Sequence, residues 1–175
     1  MKILNFPEFR QTYNYDCGAN AIQTVLAYYG FDVSENKIME MAGTTKKGTS
    51  ASGIKKVIKK YRLKYESGTM NLSKLRDYID KKIPVIIPLQ AWTEDKNAKY
   101  KNDWIDGHYA VAIGYDQKRI YFEDPSSVLR TYLTLEELKR RWHDKGADGK
   151  KYFNYGIAVY GKKPNWNQKR IIHMK

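Results

Sequence analysis

The spacing of apolar residues changes near residue 82, and that change limits the folds open to this chain. Before it, apolar side chains recur at three- and four-residue steps, the period of a helix with one buried stripe. Ala19, Ile22, Val25, Leu26 and Tyr29 predict a helix over 18–29, with Asp16 as its cap and Gly30 as its stop. Ser34 opens a second helix over 35–41 that Gly43 ends; a polar loop leads to a third over 51–61, burying Ile54, Val57 and Ile58. A short strand over 63–66 and a helix over 73–81 complete this half. Runs of β-branched residues then take over, at 84–89 between prolines, at 108–115 and 120–123 around a hairpin turn, and at 155–160. Thr134, with Glu137 three residues later, reads as a capping box for a helix over 135–142. Helices followed by strands predict an α+β fold. The expectation is one domain over 1–175: a helical lobe over about 1–82, an antiparallel sheet lobe over 83–161 and a basic tail over 162–175.

Composition narrows the function. A chain of 175 residues can bury a real core, and 42% hydrophobic residues is ordinary for a globular protein. Ile83 to Leu89 is the longest apolar stretch, interrupted by two prolines and far too short to span a bilayer. No apolar signal segment opens the chain, so the expectation is a cytoplasmic protein without a membrane span. One cysteine cannot make an internal disulfide or a zinc site built on several thiolates. His143 and His173 stand at no ligand spacing from it, and read as surface residues; no metal and no cofactor is expected. The formal charge of +13 raises nucleic acid as a partner; Lys55, Lys56, Lys59, Lys60, Arg62 and Lys64 are the densest basic patch, with 55, 59 and 62 on one side of a helix and 56 and 60 nearly beside them. No nucleic-acid motif accompanies them, so nucleic acid is not the expected partner. A lysine-rich solvated surface, or attraction of an acidic peptide, accounts for the same charge.

The single cysteine carries the chemistry. Cys17 falls at the start of the first helix, where the exposed backbone N–H groups favour a negative charge, and a thiol attacks as thiolate. Gln11, six positions upstream, offers an amide N–H to an oxyanion. His108 follows Gly107 at the start of an apolar strand, where its ring can turn toward the helical lobe. Asp124 ends the partner strand; in a simple hairpin register it lies beside the start of the histidine strand and can orient the ring. Taken singly, a buried cysteine is a small hydrophobe, a strand histidine is structural, and Asp-Pro starts a turn. Their order, nucleophile on a helix and base on a sheet, points to thiol hydrolysis. The polar loop over 93–107 precedes His108 and can overhang the site.

These residues carry a resemblance. Gln11, Asp16-Cys17-Gly18, Ala21 and Ala27-Tyr28-Tyr29-Gly30, then Gly107-His108-Tyr109-Ala110-Val111 and Glu123-Asp124-Pro125, resemble the family C39 cysteine peptidases of papain-like fold. The likeness runs from about residue 8 to residue 143. It implies Cys17 as nucleophile, His108 as general base and acid, Asp124 as orienting acceptor, and Gln11 with the Cys17 N–H as oxyanion donors. Members of that family trim leader peptides after a Gly-Gly pair and are fused to peptide-exporting transporters. This chain shows neither membrane segments nor a phosphate-binding Gly-x4-Gly-Lys-Ser/Thr motif, so a stand-alone relative acting on a peptide or protein is expected. Two other readings stay open: an amidase, transpeptidase or acyltransferase using the same thioester, and a non-catalytic module that binds a peptide or an anion.

Overall fold

Each helix of the first half places its apolar stripe against a neighbour, and each strand of the second half finds an antiparallel partner. The computed structural model describes residues 1–174. Strand β1 (Lys2–Ile3) precedes helices α1 (Cys17–Tyr28), α2 (Glu35–Ala42) and α3 (Ala51–Lys60). Then come β2 (Lys64–Thr69), α4 (Leu72–Asp80), β3 (Val85–Gln90), β4 (Gly107–Tyr115) and β5 (Arg119–Glu123). Strand β6 (Thr131–Thr134), helix α5 (Leu135–Arg141) and strands β7 (His143–Lys145), β8 (Lys151–Phe153) and β9 (Tyr155–Tyr160) follow. Seven strands form one antiparallel sheet in the order β2-β9-β3-β4-β5-β6, with β1 paired to the far end of β4; β7 and β8 pair separately. The fold is a mixed one of helices and antiparallel sheet, as the change of period implies. No helix among the described residues is long and apolar enough to cross a membrane.

Strand β2, from the helix-rich half, runs along β9 through six residue pairs and makes an edge of the sheet. The sheet therefore draws on both sides of residue 82. Helix α1 differs from the amphipathic stripe expected of it. Nine of its twelve residues are buried, because it packs on β4 with one side and on α2 and α3 with others. Tyr29, just past its end, donates a hydrogen bond across the core to the Val159 carbonyl at 2.6 Å. Asp16 stands at the N-cap but does not cap. Its Oδ2 accepts from the Tyr13 N–H at 3.0 Å and closes the turn that leads into the helix. Ser34 likewise makes no side-chain cap for α2, whereas Ser50, Asn71 and Thr134 each accept from a first-turn N–H, and Thr134–Glu137 forms the full capping box.

Close contact between α2 and α3 depends on Gly53. A Cβ there would lie 2.2 Å from the Ala42 carbonyl oxygen, which is backbone and cannot turn aside. Replacing a helical glycine by alanine ordinarily gains up to about 1 kcal/mol, whereas forcing packed elements apart costs about 1–3 kcal/mol. Gly53→Ala is therefore expected to lower the thermal midpoint. A midpoint at or above that of the unaltered protein would contradict this packing.

Candidate active site

Cys17 is the first residue of α1, half-buried where that helix abuts the start of β4. Its Sγ accepts a hydrogen bond from the Tyr109 backbone N–H at 3.5 Å. His108 is the second residue of β4 and is buried, and its Nε2 meets Asp124 Oδ1 at 2.8 Å. With Nε2 committed to the carboxylate, Nδ1 is the ring nitrogen left for Cys17, which lies near enough to the imidazole to raise its pKa. The three side chains that the sequence order singled out are thus brought to one place in the fold.

A bulge makes that possible, and it overturns the simple register expected of the hairpin. Pairing between β4 and β5 slips between Ala112 and Gly114, so that Val111 stands opposite Glu123. The next residue, Asp124, then falls level with Ala110, which shares a strand face with His108. Without the slip Asp124 would fall level with Val111, on the other face.

Asp124 is held by four donors. Oδ1 accepts from His108 and from the Ser126 N–H at 3.0 Å; Oδ2 accepts from the Trp92 indole N–H at 3.1 Å and the Thr131 hydroxyl at 3.0 Å. Burial would raise its pKa, but the bonds to His108, Ser126 and Thr131 and the imidazole charge outweigh burial and lower it. For His108, burial alone would disfavour the cation. The hydrogen bond to Asp124, that with Cys17 and the charges of both raise it instead, to about 10.

Gln11 lies across the same turn. Its backbone N–H donates to the Pro125 carbonyl at 2.9 Å, its Oε1 accepts from the Ser126 hydroxyl at 3.2 Å, and its Nε2 donates to the Tyr13 carbonyl. Nearby, the Phe9 N–H donates to Glu123 Oε1 at 2.9 Å, and burial pushes that carboxyl up to about 7. Residues 6–11 are thus laced onto the end of β5 and the segment after it, with Arg130 adding a bond to the Phe6 carbonyl and an ion pair to Glu8.

Several of these residues escaped sequence reasoning. Trp92 and Thr131 carry no motif, and Trp92 stands just before the loop over 93–107 that was expected to overhang the site. Asp144 was also missed. It is buried beside Gly107, accepts from Gln90 Nε2 at 2.9 Å, and has its carboxyl pushed up to about 6 by burial. A Cβ on Gly107 would lie 2.3 Å from its Oδ1, so glycine at that position admits the carboxylate. His143, expected at the surface, is buried: its ring lies 4.7 Å from that of Trp104, and Nε2 meets the Asp103 carbonyl at 2.7 Å. The period of a short helix ending at residue 142 hid the strand β7 that turns it inward. His173 is exposed, as expected. A cavity of about 330 Å³ opens on the Asp124 side, lined by Leu89, Trp92, His108, Phe122, Tyr132 and Arg141 among others. Among the described residues, no group of three His, Cys, Asp or Glu side chains is gathered as for a metal ion.

The raised pKa of His108 fixes the sign of a pH effect. A histidine protonated more readily folded than unfolded stabilises the fold fully below its ordinary value near 6.5, and that stability is lost as pH rises toward about 10. Asp124, lowered, adds stability that is lost only in acid, outside this window. The stability of the unaltered protein relative to His108→Gln should therefore fall between these two pH values, by at most about 1.4 kcal/mol per pH unit for one proton. Denaturant titrations across the window measure it; a flat or rising difference would contradict the charged pair.

The profile of the Peptidase C39 family matches residues 5–146. The lactococcin-G-processing and transport ATP-binding protein LagD of Lactococcus lactis subsp. lactis is 28% identical over 127 residues, 73% of this chain. The lactococcin-A transport/processing ATP-binding protein LcnC of the same organism is 29% identical over 128 residues, also 73% of this chain. The chain spans 16% of the length of each. Among solved structures, the peptidase domain of Streptococcus ComA, a bi-functional ABC transporter, is 24% identical and superposes with a TM-score of 0.65, covering 88% of this chain and 97% of that one. A double glycine motif protease from an AMS/PCAT transporter, in complex with the leader peptide, is 21% identical with a TM-score of 0.66, covering 94% and 95%. These last two likenesses establish the fold, which is that of the papain-like peptidase domains. With the family profile matched over most of its length, the chain belongs to the peptidase C39 family.

Proposed function

We propose that this chain is a cysteine peptidase that trims a leader or precursor peptide, with Cys17, His108 and Asp124 as its triad and Gln11 as oxyanion donor. The observation that carries this reading is the buried imidazole of His108, which bonds Asp124 through Nε2 and faces the thiol of Cys17. In the proposed reaction the thiolate of Cys17 attacks a peptide carbonyl, and the imidazolium beside it hands its proton to the leaving amine. The neutral imidazole then takes a proton from water, which attacks the thioester, expels the Cys17 thiolate and releases the leader fragment with a new carboxylate. Asp124 keeps the ring oriented and its charge compensated throughout. A free N–H of Gln11 and the backbone N–H of Cys17 face the oxyanion of each tetrahedral intermediate. We take the described residues to act as one peptidase domain.

The solved relative holding a leader peptide and the curated relatives named for processing support a peptide substrate with a Gly-Gly pair before the cut. Incubation with peptides carrying that pair, read by mass spectrometry, tests this. Cys17→Ala should abolish turnover and Gln11→Ala should slow it by about 10²- to 10³-fold, the usual effect of losing an oxyanion donor. Cleavage unchanged in Cys17→Ala would overturn the reading.

A further inference from the structure

The turn that holds the triad carboxylate also holds the amide of Gln11. Its three residues make three kinds of contact. Asp124 bonds His108; the Pro125 carbonyl accepts from the Gln11 backbone N–H at 2.9 Å; the Ser126 hydroxyl donates to Gln11 Oε1 at 3.2 Å. At the other end of the same amide, Nε2 donates to the Tyr13 carbonyl. A primary amide has two N–H donors. With its oxygen held by Ser126 and one N–H held by Tyr13, Gln11 keeps a single N–H uncommitted. An oxyanion donor helps most when it needs no reorientation as charge develops.

The amide could in principle turn over, bringing its oxygen where the nitrogen now is. Tyr13 presents a carbonyl there, so two acceptors would face each other. Ser126 supplies the matching half of the constraint by offering a hydroxyl proton to Oε1. Residues 6–10 are laced to the same region through Glu123 and Arg130, so the backbone carrying Gln11 is already placed and the side chain is what Ser126 governs.

We infer that Ser126 is a positioning residue for Gln11, fixing which end of its amide faces the oxyanion. The inference rests on the peptidase reading above, and its test separates the two. A substrate bearing Gly-Gly joined to aminomethylcoumarin is followed with the unaltered protein, Ser126→Ala, Gln11→Ala, the double variant and Ser126→Thr. Ser126→Ala keeps the backbone N–H that bonds Asp124, so its pH profile should match the unaltered protein. Its kcat should fall about 3- to 10-fold, the effect of one hydrogen bond, with KM little changed. In the Gln11→Ala background the same change should have no further effect, because the group it acts through is gone. Ser126→Thr, which retains a hydroxyl, should recover most of the rate. Equal losses in both backgrounds, or no loss at all, would overturn the inference.

Should the unaltered protein leave the probe intact, a nitrogen-15 spectrum without substrate decides the matter independently of catalysis. The side-chain amide pair that vanishes in Gln11→Ala should shift in Ser126→Ala and hold its place in Ser126→Thr. A pair unmoved by Ser126→Ala would overturn the role of the hydroxyl, whatever the chain cleaves.

Discussion

Asp124 and His108 meet at 2.8 Å with about a sixteenth of either side chain open to solvent. Removing two ionisable groups from water is costly, and their attraction alone often fails to offset it. What keeps this pair charged is the number of donors around the carboxylate. Ser126, Trp92 and Thr131 all donate to Asp124, so its charge is satisfied before the imidazole is considered. An ionised Asp124 then raises His108, and a raised His108 brings a cation beside the half-buried sulfur of Cys17. Deleting one member of such a pair leaves the other charge stranded, at about 3–5 kcal/mol, so the pair is a structural commitment as well as a chemical one.

The rest of the fold serves that commitment. Helix α1 is buried on nearly every side, which fixes the position of its first residue against the first residues of β4. The bulge in the β4–β5 ladder carries Asp124 onto the face of the strand that His108 occupies. The bonds from residues 6–11 to the end of β5 and the segment after it bring Gln11 to the Asp124–Ser126 turn. Two stretches of the chain, 6–17 and 108–126, lie more than ninety residues apart and converge because both are tied to the same corner of one sheet.

Much of this was legible in the residues. The change of apolar period separated helices from strands, and Thr134, Glu137, Gly30 and Gly43 marked helix ends by their own chemistry. Cys17, His108, Asp124 and Gln11 stood out because their types and order match one kind of chemistry. The bulge was not legible, since Ala112, Ile113 and Gly114 read the same in either register, and the register alone decides which face Asp124 takes. Trp92 and Thr131 were hidden because what they do depends on a loop path and not on a local pattern. Trp92 even adopts a backbone φ of +62°, a conformation that a bulky residue does not announce in sequence. His143 and Asp144 were misjudged or missed because their strand is three residues long, too short to show a period. The lysine-rich face of α3 illustrates the converse: its charge was obvious, yet charge alone names no partner.

The claim on which the account depends is that His108 is held as a cation by Asp124. Nitrogen-15 labelling of the histidine rings, with His108 assigned by its loss in a His108→Gln variant, measures this directly by titration. The account predicts that His108 stays protonated through neutral pH and titrates near 10, and that Asp124→Asn moves it down toward or below the ordinary 6.5. A His108 that already titrates near 6.5 in the unaltered protein, unmoved by Asp124→Asn, would contradict it.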